Sequence, residues 1–385
     1  MIYDASFDRA TPISDEERKT RRDLLRDRVC ELEYDALLLT PGSNMRYFFG
    51  LAWRATERLV AAMITPSRVI FICPKFEDSA LLAVIGDRYE TEWWEEHEDP
   101  AKLVTLLVHE LGIQRLGIDP QLSYGLAHRL VELLSDCQCS DGTALVAPLR
   151  YRKSDAEIAL LKSAKQLTLH VHQRIFEWIK PGIRASEIAT MIDQLHRNGG
   201  ADDGSTFCSV QFGTATAHPH GIPGDPELVE ADIVLIDTGC QLDGYHSDIT
   251  RTYALAKQPA AVEAHWALEK EAQRLAFEAA QLGVYCEEVD KTARAALAEA
   301  GLGPDYQLPG LPHRTGHGIG LDIHEGPYLV RGDRTELAPG MCFSNEPMIV
   351  VPEQYGIRLE DHFYMTEEGP QWFTEPQPDL YQPFS

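Results

Sequence analysis

Basic side chains are scarce in this 385-residue chain: 35 Lys and Arg stand against 60 Asp and Glu, a formal charge of −25. No basic stripe can form to neutralise phosphates, which excludes nucleic acid as a partner. The same charge disfavours an anionic membrane surface and favours solubility. Long apolar runs are missing as well. The best, 59–65 and 68–73, are short and separated by Pro66, far from the roughly 20 residues a membrane span needs. The opening residues MIYDASFDRA have neither the basic start nor the apolar stretch of a secretory signal. Eight cysteines are scattered, and the closest pair, Cys137 and Cys139, is C-x-C. That spacing predicts reduced thiols rather than a disulfide frame or a zinc knuckle. Together these absences predict a cytoplasmic globular chain with no membrane or nucleic-acid partner.

The length suggests two domains. Ser14 and Glu17 form a capping-box pattern, and a helix should follow to about Leu32. DALLLT, residues 35–40, reads as a buried strand closed by Pro41-Gly42, and 59–65 with 68–73 read as a hairpin. Helical spacing at 76–85 and 124–134, with a short strand at 116–118, completes an α/β domain over 1–150. A second capping box, Ser154 to Glu157, opens the next domain, 151–385. Helices are expected at 155–179, 185–198, 261–282 and 286–300. Strands are expected at 233–238, 249–253, 341–345, 348–351, 357–360 and 363–366.

Two segments place acids on otherwise apolar strands. In VLIDTGCQLDGYHSDITRTY, residues 234–253, a turn centred on Leu242-Asp243 sets Asp237 opposite Asp248. A turn at Asp243-Gly244 slips the pairing by two and keeps the acids close. In FSNEPMIVVPEQYGIRLED, residues 343–361, Glu346 and Glu360 are symmetric about position 353, the middle of a polar loop. Facing like charges are destabilising, and two charges about 4 Å apart cost about 4 kcal/mol at an effective dielectric near 20. Four ionised carboxylates in one pocket therefore need cations or shared protons. The plain alternative for any one acid is a solvated strand residue, but the paired pattern argues against it for the set.

HRTGHGIGLDIHEGP, residues 313–327, holds His313, His317 and His324 among glycines that rule out a regular helix. There is no H-E-x-x-H, so a zincin helix is excluded. One imidazole with four carboxylates is an oxygen-rich set that suits Mn²⁺ better than structural Zn²⁺. Upstream, His218-Pro-His220 lies in a loop rich in proline and glycine, where a histidine can contact substrate.

These residues, in this order, resemble the pita-bread metallopeptidases: methionine aminopeptidase, aminopeptidase P and prolidase. The runs DGYHSDITRTY, GHGIGLDIHEGP and GIRLED carry the resemblance, and YDALLLTPGSNMRYFFGL extends it to the creatinase/prolidase N-terminal domain. It implies an N-terminal creatinase/prolidase-like α/β domain followed by a pita-bread catalytic domain, an α/β (α+β) chain overall. It also implies Asp237, Asp248, His317, Glu346 and Glu360 as ligands of two divalent metals, with Mn²⁺ first and Co²⁺ or Zn²⁺ as alternatives. Asp237 would bind one metal and His317 the other, Asp248 and Glu360 would bridge or chelate, and the two metals would hold and acidify the attacking water. Glu346 would shuttle its proton and His324 would meet the scissile carbonyl. His220, His313 and Arg358 would contact substrate, Arg358 at its carboxylate, and Arg46 would reach in from the second subunit of a homodimer. The implied substrate is a small peptide ending in proline, cut as an Xaa-Pro dipeptide. The alternatives are an aminopeptidase P acting on longer peptides and a catalytically silent interaction protein on the same fold. SNEP at 344–347 and MIVVPEQY at 348–355 depart from the family's usual TIEP and GIYIPGEF, both beside Glu346.

Overall fold

Ser14 caps the helix Asp15–Glu31, its Oγ accepting the Glu17 N–H at 3.1 Å. The second expected cap is complete. Ser154 Oγ accepts from Glu157 N at 3.3 Å, and Glu157 Oε2 accepts from Ser154 N at 3.0 Å, opening the helix Asp155–Trp178. The computed structural model describes residues 9–384. It divides into one unit, Ile13–Arg150, and a second that runs from Tyr151 onward and includes residues 9–12.

The first unit is built on a six-stranded sheet in the order Glu90–Trp94, Val69–Pro74, Ala61–Ile64, Ala36–Leu39, Arg115–Ile118, Gln138–Asp141. The expected hairpin is present, Ala61–Ile64 pairing antiparallel with Val69–Pro74, while the outer pairs are parallel. Leu38, Met63, Ile72, Val104, Val108 and Leu116 share one apolar core. Helices Ser43–Phe49 and Pro100–Glu110 were not anticipated. Six of the seven residues in Ser43–Phe49 are buried, so that helix shows no polar face to read.

In the second unit two pairs of helices each cover a sheet. Asp155–Trp178 and Ala185–Asn198 pack on the antiparallel strands Ser205–Phe212, Ile233–Leu242 and Ile249–Ala254, with Val171, Ile188, Val234 and Ile236 in the shared core. Ala260–Ala279 and Cys286–Glu299 lie against a five-stranded sheet in the order Glu325–Leu329, Gly316–Gly318, Cys342–Asn345, Asp361–Thr366, Gly369–Trp372. Ala276, Val289, Phe343 and Phe363 meet there. A two-stranded ribbon, Met348–Val351 with Tyr355–Arg358, extends from the neighbouring strands Cys342–Asn345 and Asp361–Thr366. Strand Ser205–Phe212 was missed, although STFCSVQF alternates at its apolar end.

Candidate metal centre

In the first hairpin Thr250 pairs with Asp237, and Gln241 pairs with His246. The turn is therefore Asp243-Gly244, with φ of 49° and 80°. This corrects the centre at Leu242-Asp243. Two successive left-handed residues suit Asp-Gly and not Leu-Asp, and the Asp202 carboxylate accepts both turn amides at 3.0 and 2.8 Å. Asp248 consequently sits two residues off direct opposition. It still offers an oxygen within 4.8 Å of oxygens from Asp237 and Glu360.

The second hairpin follows the expected symmetry. Met348 pairs with Arg358 and Val351 with Tyr355, while Asn345 pairs with Asp361 and Cys342 with Tyr364. All four pairs share one centre, so Glu346 and Glu360 occupy the gap between two ladders in a single register. Pro347 cannot donate to a ladder. The flanking amides turn to other strands: Glu346 N–H donates to Thr315 O at 2.8 Å and Glu360 N–H to Thr250 O at 3.1 Å.

His317 enters on Gly316–Gly318. A Cβ at Gly316 would lie 2.1 Å from Ser344 O, so only glycine allows this approach. The ring Nδ1–H is assigned as donor to Gly318 O at 3.0 Å, which leaves the Nε2 lone pair facing Glu346 Oε1 at 3.2 Å and Asp248 Oδ2 at 3.8 Å. Ser344 Oγ accepts from His317 N at 2.9 Å and donates to Glu346 Oε1 at 3.2 Å, so the serine of SNEP ties two members of the set together.

Asp237 Oδ1, Asp248 Oδ1, His317 Nε2 and Glu360 Oε1 are all buried with no hydrogen-bond partner. Buried acceptors rarely go unpaired, and four that converge match what divalent cations require. Burial first, then the neighbouring carboxylates, push Asp248 and Glu360 well above the usual carboxylate range. Burial also acts to raise Glu346, but without a cation a proton on His317 Nε2 would bridge to it and, with the charges of His313 and Arg358, hold it at about 2; a bound cation takes that proton's place. Bare, the set cannot be fully ionised; cations remove that penalty.

The acids open into a cavity of about 440 Å³ whose apolar lining comes from Phe207, Pro219, Pro312 and Ile323. His220, His313, Arg314, His324 and Arg358 supply its polar lining besides the acids. His313 Nδ1 faces Arg314 O at 2.7 Å, while its Nε2 is buried without a partner. His324 is exposed, its ring centroid 4.1 Å from that of His317, and burial of part of the ring together with His317 brings it down to about 4. Arg358 is only 3% exposed, and its donors are engaged inside the protein: Nη2 to Asp237 Oδ2 at 2.5 Å, Nε to Thr250 Oγ1 at 3.0 Å, Nη1 to Pro219 O at 3.0 Å. Arg46 belongs to helix Ser43–Phe49 of the first unit and is not among the residues the second unit gathers. Sequence reasoning overlooked Arg314, whose guanidinium lies 4.5 Å above the Tyr328 ring and has no acidic partner among the described residues. A cation between two histidines of HRTGH was the available signal.

Residues 159–367 match metallopeptidase family M24, and residues 21–152 match the creatinase/prolidase N-terminal domain. The chain belongs to family M24. Among the relatives of this M24 metallopeptidase, a probable dipeptidase PepE of Mycobacterium tuberculosis is 35% identical over 339 residues, covering 86% of this chain and 88% of the relative. An Xaa-Pro dipeptidase of Pyrococcus horikoshii is 30% identical over 269 residues, 70% and 75% of the two chains. The crystal structure of dipeptidase PepE from Mycobacterium ulcerans superposes with a TM-score of 0.89 at 30% identity, over 96% of this chain and 99% of that one. The N-terminal creatinase-type and pita-bread units expected from the sequence are those of the M24 enzymes.

Proposed function

We propose that this M24 metallopeptidase hydrolyses Xaa-Pro dipeptides, with Asp237, Asp248, His317, Glu346 and Glu360 holding two divalent metals, Mn²⁺ being the first to test. The observation that carries the reading is the convergence of four unpartnered buried acceptors beside a cavity of about 440 Å³ whose apolar lining is Phe207, Pro219, Pro312 and Ile323. Bound metals would acidify the attacking water and polarise the scissile carbonyl. Glu346, whose side chain is 14% exposed, takes the water proton and passes it to the leaving proline nitrogen. The His324 N–H donates to the developing oxyanion. His324 also comes within 4.8 Å of Asp248 and His317 ligand atoms, but its exposure at the cavity favours substrate over metal. His220 and the Nε2 of His313 line the remainder of the peptide path.

A dipeptide ends in a carboxylate, and a cation at that end selects it. With Arg358 engaged on Asp237, Arg314 is the better candidate for that contact. The active form in this reading is a homodimer to which Arg46 of a second copy contributes. A cytoplasmic setting accords with eight free thiols. Proline release from Ala-Pro and Ala-Pro-Ala, with and without Mn²⁺, tests the reading. Equal or faster turnover of the tripeptide would make the enzyme an aminopeptidase P, and no turnover of either would leave an interaction protein.

A further inference from the structure

A single hydroxyl connects acids from both hairpins. Thr250 is wholly buried and stands across the first hairpin from Asp237. Its Oγ1 lies 3.0 Å from Arg358 Nε and 2.8 Å from Glu360 Oε2. A guanidinium can only donate, so the hydroxyl accepts there and its one proton is directed to Glu360. The other end of the same guanidinium donates to Asp237 Oδ2 at 2.5 Å. The resulting chain, Asp237–Arg358–Thr250–Glu360, engages Oδ2 and Oε2, whereas Oδ1 and Oε1 are the buried atoms without a partner.

We propose that Thr250 is a positioning residue that decides which oxygen of Glu360 faces the cation, and so supports metal affinity without being a ligand. The inference rests on Glu360 being a ligand. Glu360 N–H already donates to the Thr250 carbonyl at 3.1 Å, which fixes the main chain, so the hydroxyl acts on the carboxylate alone. Partners of this kind orient a ligand, and their loss costs about 10–100-fold in metal affinity.

Thr250→Val removes the proton and keeps the branched shape that a strand accommodates; Thr250→Ser keeps the hydroxyl. Mn²⁺ binding to the metal-free full chain is measured by titration calorimetry, and the rise in Tm on adding Mn²⁺ is measured alongside. Thr250→Val should bind at least one Mn²⁺ about 10–100-fold more weakly and gain less in Tm, with Thr250→Ser staying near wild type. Should Thr250→Val fail to fold, Thr250→Ala is judged by the same criteria. Unchanged affinity, or a lower metal-free Tm with an unchanged Mn²⁺-induced gain, overturns the positioning role and leaves the ligand assignment standing. A wild-type chain that binds no divalent metal overturns both.

Discussion

Arg251 Nη2 meets Asp361 Oδ1 at 2.6 Å, and both side chains are wholly buried. Arg251 Nη1 also donates to Glu360 O at 2.9 Å, and Gln273 Nε2 donates to Asp361 Oδ2, Asn345 O and Leu359 O at 3.2, 3.2 and 3.0 Å. The residues flanking Glu346 and Glu360 are thus tied to one dry polar cluster. Asp361→Ala leaves a buried guanidinium without its counter-charge and should destabilise the chain by about 3–5 kcal/mol. An Arg251→Met, Asp361→Leu pair should recover most of that loss. Urea unfolding of the variants decides it, and a loss below about 1 kcal/mol for Asp361→Ala, the scale of an exposed pair, would mean the pair is not as dry as its burial implies.

Metal content is the second expectation. Mn²⁺-loaded protein should contain two equivalents per chain by elemental analysis, and Glu360→Ala should lose at least one. Full activity with a single tightly bound metal would contradict the dinuclear arrangement.

His324→Ala should lower kcat by about 10²–10³, the scale of a lost oxyanion donor, while Mn²⁺ affinity changes little. Steady-state kinetics and calorimetry on the same preparation separate the two. Near-normal kcat would reduce His324 to a packing residue, and lost Mn²⁺ would make it a ligand.

The two arginines should differ. Arg314→Gln should lower kcat/KM for Ala-Pro roughly tenfold or more, the effect of an unpaired buried charge of about 1–3 kcal/mol, and should hardly affect the C-terminal amide of Ala-Pro. Arg358→Gln should weaken Mn²⁺ binding instead, because its partner is Asp237. The reverse pattern would return the carboxylate contact to Arg358.

Glu269 is wholly buried, with no side-chain partner for its carboxyl among the described residues. Burial pushes it well above the usual range. Between its unfolded value, about 4.3, and its folded one, the native chain keeps a proton that the unfolded chain has lost, so stability falls as pH rises through that window. Glu269→Gln removes this dependence. The Tm of the variant relative to wild type should rise as the pH increases from about 5 and level off above the folded value, at saturating Mn²⁺. A flat difference would mean that Glu269 is ionised in the native state.

Much of the centre was legible because strand pairing turns sequence symmetry into distance. Glu346 and Glu360 could be placed from their centre at 353 alone. Asp237 and Asp248 needed turn chemistry as well, and the left-handed pair at Asp243-Gly244 outweighed the simpler symmetry. What could not be read were bonds that depend on distant pairing. Arg358 lies 121 residues from Asp237, and Thr250 110 from Glu360. GIRLED taken alone cannot tell an arginine that faces substrate from one turned inward. The helix Ser43–Phe49 was hidden for a different reason: burial on nearly every side erased the periodicity that identifies a helix.

The shared register of the second hairpin makes it a ruler held at its far end. Cys342 with Tyr364 and Asn345 with Asp361 fix the spacing from below, while Pro352, Glu353 and Gln354 at the tip are exposed. A tag or fluorophore-bearing loop with flexible ends could be spliced in at Glu353, reporting on the enzyme while its acids stay in place. The same cassette between Glu346 and Val351 would be ruinous if it held an odd number of residues, because a strand that slips by one turns every side chain beyond the splice to the opposite face.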